Sequence, residues 1–209
     1  MEMEASKDPK SIIKAAYLAQ LRHGPFTENE IVSVSQAELR EAIVQGFLVR
    51  QNGTRYSLSD VGRSKITDVL AGGVYDVLHL GHLAALTEAK SFGDLLIAVV
   101  ATDVTVEMLK GRKPIFPEED RRKLVEGLKP VDRAILGYED VGMGYEEVLM
   151  EVKPDIVAFG YDQENLERSV REIITRHNLR IKMVQLSRFE HETHHSSTSV
   201  RQKLSETLS

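Results

Sequence analysis

The chain has 209 residues, of which 27 are Lys or Arg and 32 are Asp or Glu, for a formal charge of −5, and 42% are hydrophobic. This is the composition of a globular protein with a sizeable core, and it lacks the basic excess that draws a protein to nucleic acid or anionic membrane. The absence of cysteine excludes disulfides, thiolate-bound zinc and thiol catalysis. No run of about 18 apolar residues reads as a membrane span, and the polar, acidic stretch Met1 to Lys10 does not read as a secretory leader; a cytoplasmic protein is expected.

From the N-terminus, Asp8-Pro9 can start a helix that runs to about His23, with Ile12, Ile13, Ala16, Tyr17, Ala19 and Leu21 among its apolar positions and Gly24-Pro25 as its stop. Thr27 with Glu30, and Ser35 with Glu38, each fit a capping box, and the helix after Ser35 is expected to carry Leu39, Ala42, Ile43 and Phe47 on one face. Asn52-Gly53 between the strand-like stretches 47–51 and 54–58 predicts a two-residue hairpin, and Ser59 starts a short helix through Ile66. Three helices, a hairpin and a closing helix resemble a winged helix-turn-helix domain over residues 1–67.

Beyond Thr67 the pattern changes to alternating strands and helices. Apolar runs predict strands at Asp68–Leu70, Leu95–Ala101, Arg133–Leu136, Ile156–Phe159 and Ile181–Leu186. Helical patterns lie at about Gly81–Ser91, Glu118–Leu128, Tyr145–Val152 and Asn165–His177, with a last helix at about Thr198–Leu208. Repeated βα units imply an α/β fold over residues 68–209, a parallel sheet with helices on both faces and ligands beyond the carboxyl ends of its strands. The two regions carry formal charges of +1 and −6, and neither has the excess of a dedicated nucleic-acid binder.

The densest chemical signal is Gly72-Gly73-Val74-Tyr75-Asp76-Val77-Leu78-His79-Leu80-Gly81-His82, placed between the first strand of this region and a helix. Glycines let backbone approach a phosphate, and a helix N-terminus offers free N–H groups with a partial positive charge. His79 and His82, three residues apart, can both face one anion there. Lys110, Arg112 and Lys113 can neutralise triphosphate charge, while Ser197 and Thr198 at another helix start either cap that helix or bind phosphate. Arg201, one turn further, can add a bidentate phosphate contact.

GVYDVLHLGH resembles the GTFDxxHxGH signature of the cytidylyltransferase-like nucleotidyltransferases. The similarity continues through Val99-Val100-Ala101-Thr102-Asp103, Lys110-Gly111-Arg112-Lys113-Pro114 with Pro117-Glu118-Glu119-Asp120-Arg121-Arg122, and Ser196-Ser197-Thr198-Ser199-Val200-Arg201. Lys153-Pro154-Asp155 with Gly160-Tyr161-Asp162-Gln163 resembles the KPDxxxxGYDQ segment of archaeal-type FAD synthases within that superfamily. The resemblance implies a Rossmann-like nucleotidyltransferase domain that transfers AMP from ATP to FMN, releasing pyrophosphate, with magnesium or another divalent cation accompanying the ATP and a homodimer as the assembly. It implies His79 and His82 as catalytic residues. Gly73, Val74, Tyr75, Asp76, Leu80, Gly81, Lys110, Lys113, Gly160, Tyr161, Asp162, Ser197, Thr198 and Arg201 are the implied nucleotide-binding positions. Asp76 and Asp103 suit either a water-mediated metal contact or turn capping, and no direct metal ligand is assigned. The alternative is a CTP-dependent cytidylyltransferase acting on glycerol phosphate or another phosphorylated alcohol, although that group usually has Asp-Asp-Trp where this chain has Tyr161-Asp162-Gln163.

Two other readings are weaker. His191-Glu192-Thr193-His194-His195 matches HExxH, but that zinc motif needs a regular helix, and this stretch is rich in Ser and Thr with poor helix propensity. A DNA-binding regulator with a nucleotide- or flavin-sensing domain is the third reading. Its recognition helix would offer Gln36, Arg40 and Gln45 but also Glu38 and Glu41, which oppose a phosphate backbone. The first domain is therefore expected to serve packing or dimerisation.

Overall fold

The computed structural model describes residues 8–31, 34–139 and 144–189. The chain divides into two compact units, Met1–Thr67 and Asp68–Ser209.

In the first unit, α1 (Lys10–His23) buries Ile12, Ile13, Ala16, Tyr17 and Ala19 and ends at Gly24, whose φ of 72° continues no helix. Thr27 and Glu30 do bond reciprocally, yet they open only a single 3-10 turn, Glu28–Glu30. Ser35 and Glu38 cap α2 (Gln36–Val44), which buries Leu39 and Ala42. Phe47, expected on its apolar face, lies past its end, where its N–H meets the Ala42 carbonyl at 2.8 Å. Strands β1 (Leu48–Arg50) and β2 (Tyr56–Leu58) pair antiparallel. Because the Gln51 N–H reaches the Arg55 carbonyl at 2.8 Å, the loop is Asn52–Thr54, three residues rather than the two expected, with Gly53 at φ 72°. Helix α3 (Asp60–Arg63), capped by Ser59, stops short of the expected Ile66. Three arginines are engaged inside this unit: Arg50 stands over Tyr56, Arg63 over Tyr17, and Arg55 donates to the Pro25 carbonyl at 2.8 Å.

The second unit is built on a parallel sheet of β3 (Asp68–Gly73), β4 (Leu95–Val100), β5 (Arg133–Leu136), β6 (Ile156–Phe159) and β7 (Lys182–Gln185), in spatial order β5-β4-β3-β6-β7. Helices α4 (Leu80–Ser91), α5 (Asp103–Lys110), α6 (Glu118–Glu126), α7 (Gly144–Val152) and α8 (Glu164–His177) complete it. Every residue of β4 is buried, as both-face covering by crossover helices requires. The chain builds outward from β3 through β4 to β5, then returns to the other side of β3 for β6. The crevice between the carboxyl ends of β3 and β6 is thus the topological switch point, where such sheets bind ligands. At the opposite end, Asp68 and Asp155 clasp these two strands, each carboxylate accepting the other's backbone N–H at 3.1 and 3.0 Å.

Helix α5 is absent from the sequence-based expectation. Thr102 caps it, accepting the Thr105 N–H at 3.2 Å, and Gly111 ends it with a left-handed φ of 65°. Its first turn is held by Arg121 of α6, whose side chain is 0% exposed. That guanidinium donates to the Asp103 carboxylate at 2.7 Å, the Phe116 carbonyl at 2.9 Å and the Val74 carbonyl at 2.6 Å. One planar donor fork thereby joins α5, the loop before α6 and the glycine-rich loop after β3. Replacing it strands three acceptors, one of them charged. Arg121→Met should lower unfolding stability by roughly 3–5 kcal/mol in denaturant titration, and Arg121→Lys, with one point charge for three directions, should recover only part of it.

Candidate active site

A cavity of about 1330 Å³ opens over the carboxyl ends of the strands, and the glycine-rich loop forms its floor. Gly72 and Gly73 are required by close approach. A Cβ on Gly73 would fall 2.7 Å from the Tyr75 ring, and one on Gly72 would fall 2.9 Å from the Tyr145 hydroxyl. Tyr75 adopts a left-handed φ of 51° and is 5% exposed, folding its ring back over the loop; for a non-glycine residue this backbone is held by its surroundings.

His79 is the N-cap residue of α4, with φ −145°, so the helix proper begins at Leu80 and its first N–H groups stand at the loop. The imidazoles of His79 and His82 stack with ring centroids 3.8 Å apart and planes 25° from parallel, and Tyr75 packs on His82 at 5.2 Å. Both residues line the cavity, and both Nδ1 atoms are buried. Burial, and secondarily the neighbouring His79, lowers the His82 pKa from 6.5 to about 4. His82 is therefore a neutral hydrogen-bonding group at neutral pH, next to a positive helix end.

The remaining expected residues divide. Val74, Gly81, Lys110, Gly160, Tyr161 and Asp162 line the same cavity as Gly73, Tyr75, Asp76, His79 and His82. Leu80, 55% exposed, and the exposed Lys113 do not contribute to its wall. Asp76 is 3% exposed and is occupied with the following loop: it accepts the N–H groups of Ile115 at 2.6 Å and Phe116 at 3.3 Å and lies 3.6 Å from the Arg112 guanidinium. The loop-anchoring reading of Asp76 thus has the geometry, and Asp103 is likewise paired with Arg121. Ser197, Thr198 and Arg201, and the HExxH stretch 191–195, lie outside the described residues.

Two residues without an assigned role in the sequence reading emerge as organisers. Arg121 is one. Gln163 is the other: its amide accepts the Gly160 N–H at 2.8 Å and donates to the Gly72 carbonyl at 2.9 Å, spanning the switch point from β6 to β3. Arg188, after β7, places its guanidinium over the Tyr161 ring at 5.5 Å.

The depressed His82 pKa has a consequence for stability. The folded apo protein resists a proton that the unfolded chain accepts below 6.5, so stability is complete above that pH and declines as the pH falls toward about 4. Between pH 7 and pH 5 the apo protein should lose about 2 kcal/mol from this group. Denaturant titrations of His82→Gln should show a correspondingly smaller loss over the same interval.

Comparison with known proteins agrees with this architecture. Residues 70–203 match the cytidylyltransferase-like family. The FAD synthase of Thermoplasma volcanium is 44% identical over 140 residues, spanning 67% of this chain and 95% of that protein. The FAD synthase of Aciduliprofundum boonei is 46% identical over 121 residues, spanning 58% and 78%. Among solved structures, one described as the lipopolysaccharide core biosynthesis protein of Thermoplasma volcanium is 42% identical, with a TM-score of 0.54 over 60% of this chain and 99% of that one. With its glycine-rich loop, stacked imidazoles and parallel sheet in this setting, the chain belongs to the cytidylyltransferase-like family and, within it, to the FAD synthases.

Proposed function

We propose that the protein adenylylates FMN, taking AMP from ATP and releasing pyrophosphate to give FAD. The observation that carries the reading is the stacked His79–His82 pair at the start of α4, inside a cavity at the sheet's switch point. An FMN phosphate oxygen attacks the α-phosphorus of ATP in line. The new P–O bond forms as the bond from the α-phosphorus to the α,β-bridging oxygen breaks, and pyrophosphate departs with that oxygen. The attacking oxygen is already anionic, so the reaction calls for positioned donors rather than a strong base. His79 and His82 donate from Nε2 to the α-phosphate as charge gathers on its nonbridging oxygens, and the N–H groups at the head of α4 add to that field. Lys110 and Arg112, at the cavity wall, stand where they can draw the departing pyrophosphate. Ser197, Thr198 and Arg201 are assigned to its oxygens by family resemblance.

Magnesium would neutralise triphosphate charge as it enters with ATP. Among the described residues no group of three or more His, Cys, Asp or Glu could hold a metal ion, and Asp76 and Asp103 are committed elsewhere.

The helix and hairpin order of the first unit supports reading it as a winged-helix-like module for packing or self-association. Arg50, Arg55 and Arg63 are engaged within the unit, and α2 presents Glu38 and Glu41 beside Arg40, which favours this over DNA binding.

Pyrophosphate release should be measured for ATP and CTP against FMN, glycerol phosphate and pantetheine phosphate. FAD should appear with ATP and FMN alone; activity confined to CTP and glycerol phosphate would replace the proposed acceptor. His82→Ala should lower kcat at least about 100-fold with little loss of folding, and a near-normal rate would remove its assigned role. In a mobility-shift assay with genomic DNA at low salt, no shift is expected; a salt-sensitive shift would restore the regulator reading.

A further inference from the structure

The switch point divides the cavity into two chemically different halves. On the β6–β7 side the wall is polar, with Asp162, Gln163, Asn165, Ser169, Ser187 and Arg188. On the β4–β5 side Val99, Val106, Leu109, Tyr138 and Tyr145 form an apolar and aromatic stretch, with Thr105, Lys110 and Arg112 beside it. A ribose and a base with several hydrogen-bonding edges suit the first wall. A large flat ring system suits the second.

Within the apolar half, Tyr145, in the first turn of α7, has a buried hydroxyl with no hydrogen-bond partner among the described residues. A buried hydroxyl left unpaired destabilises a folded protein, and native structures seldom keep one without a use. The room beside it comes from Gly72, since a Cβ there would stand 2.9 Å from the hydroxyl oxygen. Burial, with Tyr75 adding to it, raises the Tyr145 pKa, so the phenol stays a neutral donor at every pH at which the protein works. A neutral donor in an apolar wall matches a carbonyl or ring nitrogen better than a phosphate, which calls for cations. The cavity offers those at Lys110 and Arg112.

We infer that Tyr145 fixes the flavin ring of the acceptor, its hydroxyl donating a hydrogen bond to a carbonyl oxygen or ring nitrogen of the isoalloxazine as the ring lies against Val106, Leu109 and Tyr138. The assignment rests on FMN being the acceptor. With the FMN phosphate at the imidazole pair, the ribityl chain spans from there to this apolar stretch. Tyr145 is thereby a specificity-determining residue that touches the part of the substrate remote from the chemistry.

The test is flavin fluorescence titration of the full-length protein and Tyr145→Phe with both FMN and riboflavin, which share the ring but not the phosphate. Loss of one hydrogen bond should weaken both flavins roughly 3- to 10-fold. The KM for ATP should be unchanged, and the Tm unchanged or higher, because an unpaired polar atom has been removed. Weakening confined to FMN would place the hydroxyl on the phosphate and overturn the assignment, as would equal binding by both proteins. A lowered Tm together with a raised KM for ATP would overturn it in favour of a structural bond. If the unaltered protein binds neither flavin, the proposed acceptor fails and this assignment with it; if it binds flavin and makes FAD while Tyr145→Phe binds equally, only this assignment fails.

Discussion

A buried guanidinium ties the glycine-rich loop after β3 to α5 and to the loop before α6. Arg121 is removed from water and gives its donors to Val74, Phe116 and Asp103, three groups that are apart in the chain. Burying a charge is costly unless its hydrogen bonds are met; here the geometry of the fork meets three acceptors at once. The result is a glycine-rich loop whose path is set from behind, by protein, while its front remains open to ligand. Asp76 and Gln163 extend the same scaffold, the first to the loop of Ile115 and Phe116, the second across the switch point to Gly160.

This scaffold explains why the histidines can be both buried and useful. A pair of stacked imidazoles held in water would titrate near neutrality and turn freely. Here the two rings stack on each other and Tyr75 packs on His82, so their orientation is set before any ligand arrives, and burial holds His82 neutral, with its pKa at about 4. The positive potential then comes from the helix end and from Lys110 and Arg112 at the cavity wall rather than from imidazolium. Prearranged donors of this kind lose little free energy to reorganisation when charge develops on a reacting phosphate.

Much of this architecture is local in origin and was legible in the sequence. The β5 and β6 boundaries follow directly from the apolar runs Arg133–Leu136 and Ile156–Phe159, and the loop-to-helix placement of His79 and His82 follows from glycine spacing. Helix α5 escaped because Val104, Thr105 and Val106 are β-branched and lower helix propensity, although its Thr102 cap and Gly111 stop were both present. The Asn52-Gly53 pair announced a hairpin, but its register is set by the pairing of Arg50 with Tyr56, which lengthens the loop by one residue. The Thr27–Glu30 box formed, but with Ile31 buried in extended backbone directly after it there was no helix to propagate. The organising roles of Arg121 and Gln163 depend on contacts 47 and 91 residues away in the chain, and no spacing rule carries such information. For the same reason the bonds from the Ile115 and Phe116 N–H groups to Asp76, inside the motif, were not legible.

The central claim is that one triphosphate sits against both imidazoles at the head of α4. A crystal structure with the non-cleavable analogue α,β-methylene-ATP tests it most directly. The account predicts the α-phosphate oxygens within hydrogen-bonding distance of Nε2 of His79 and His82, at about 2.7–3.2 Å, with the nucleoside toward Asp162. An analogue bound with its phosphates away from both rings would contradict it.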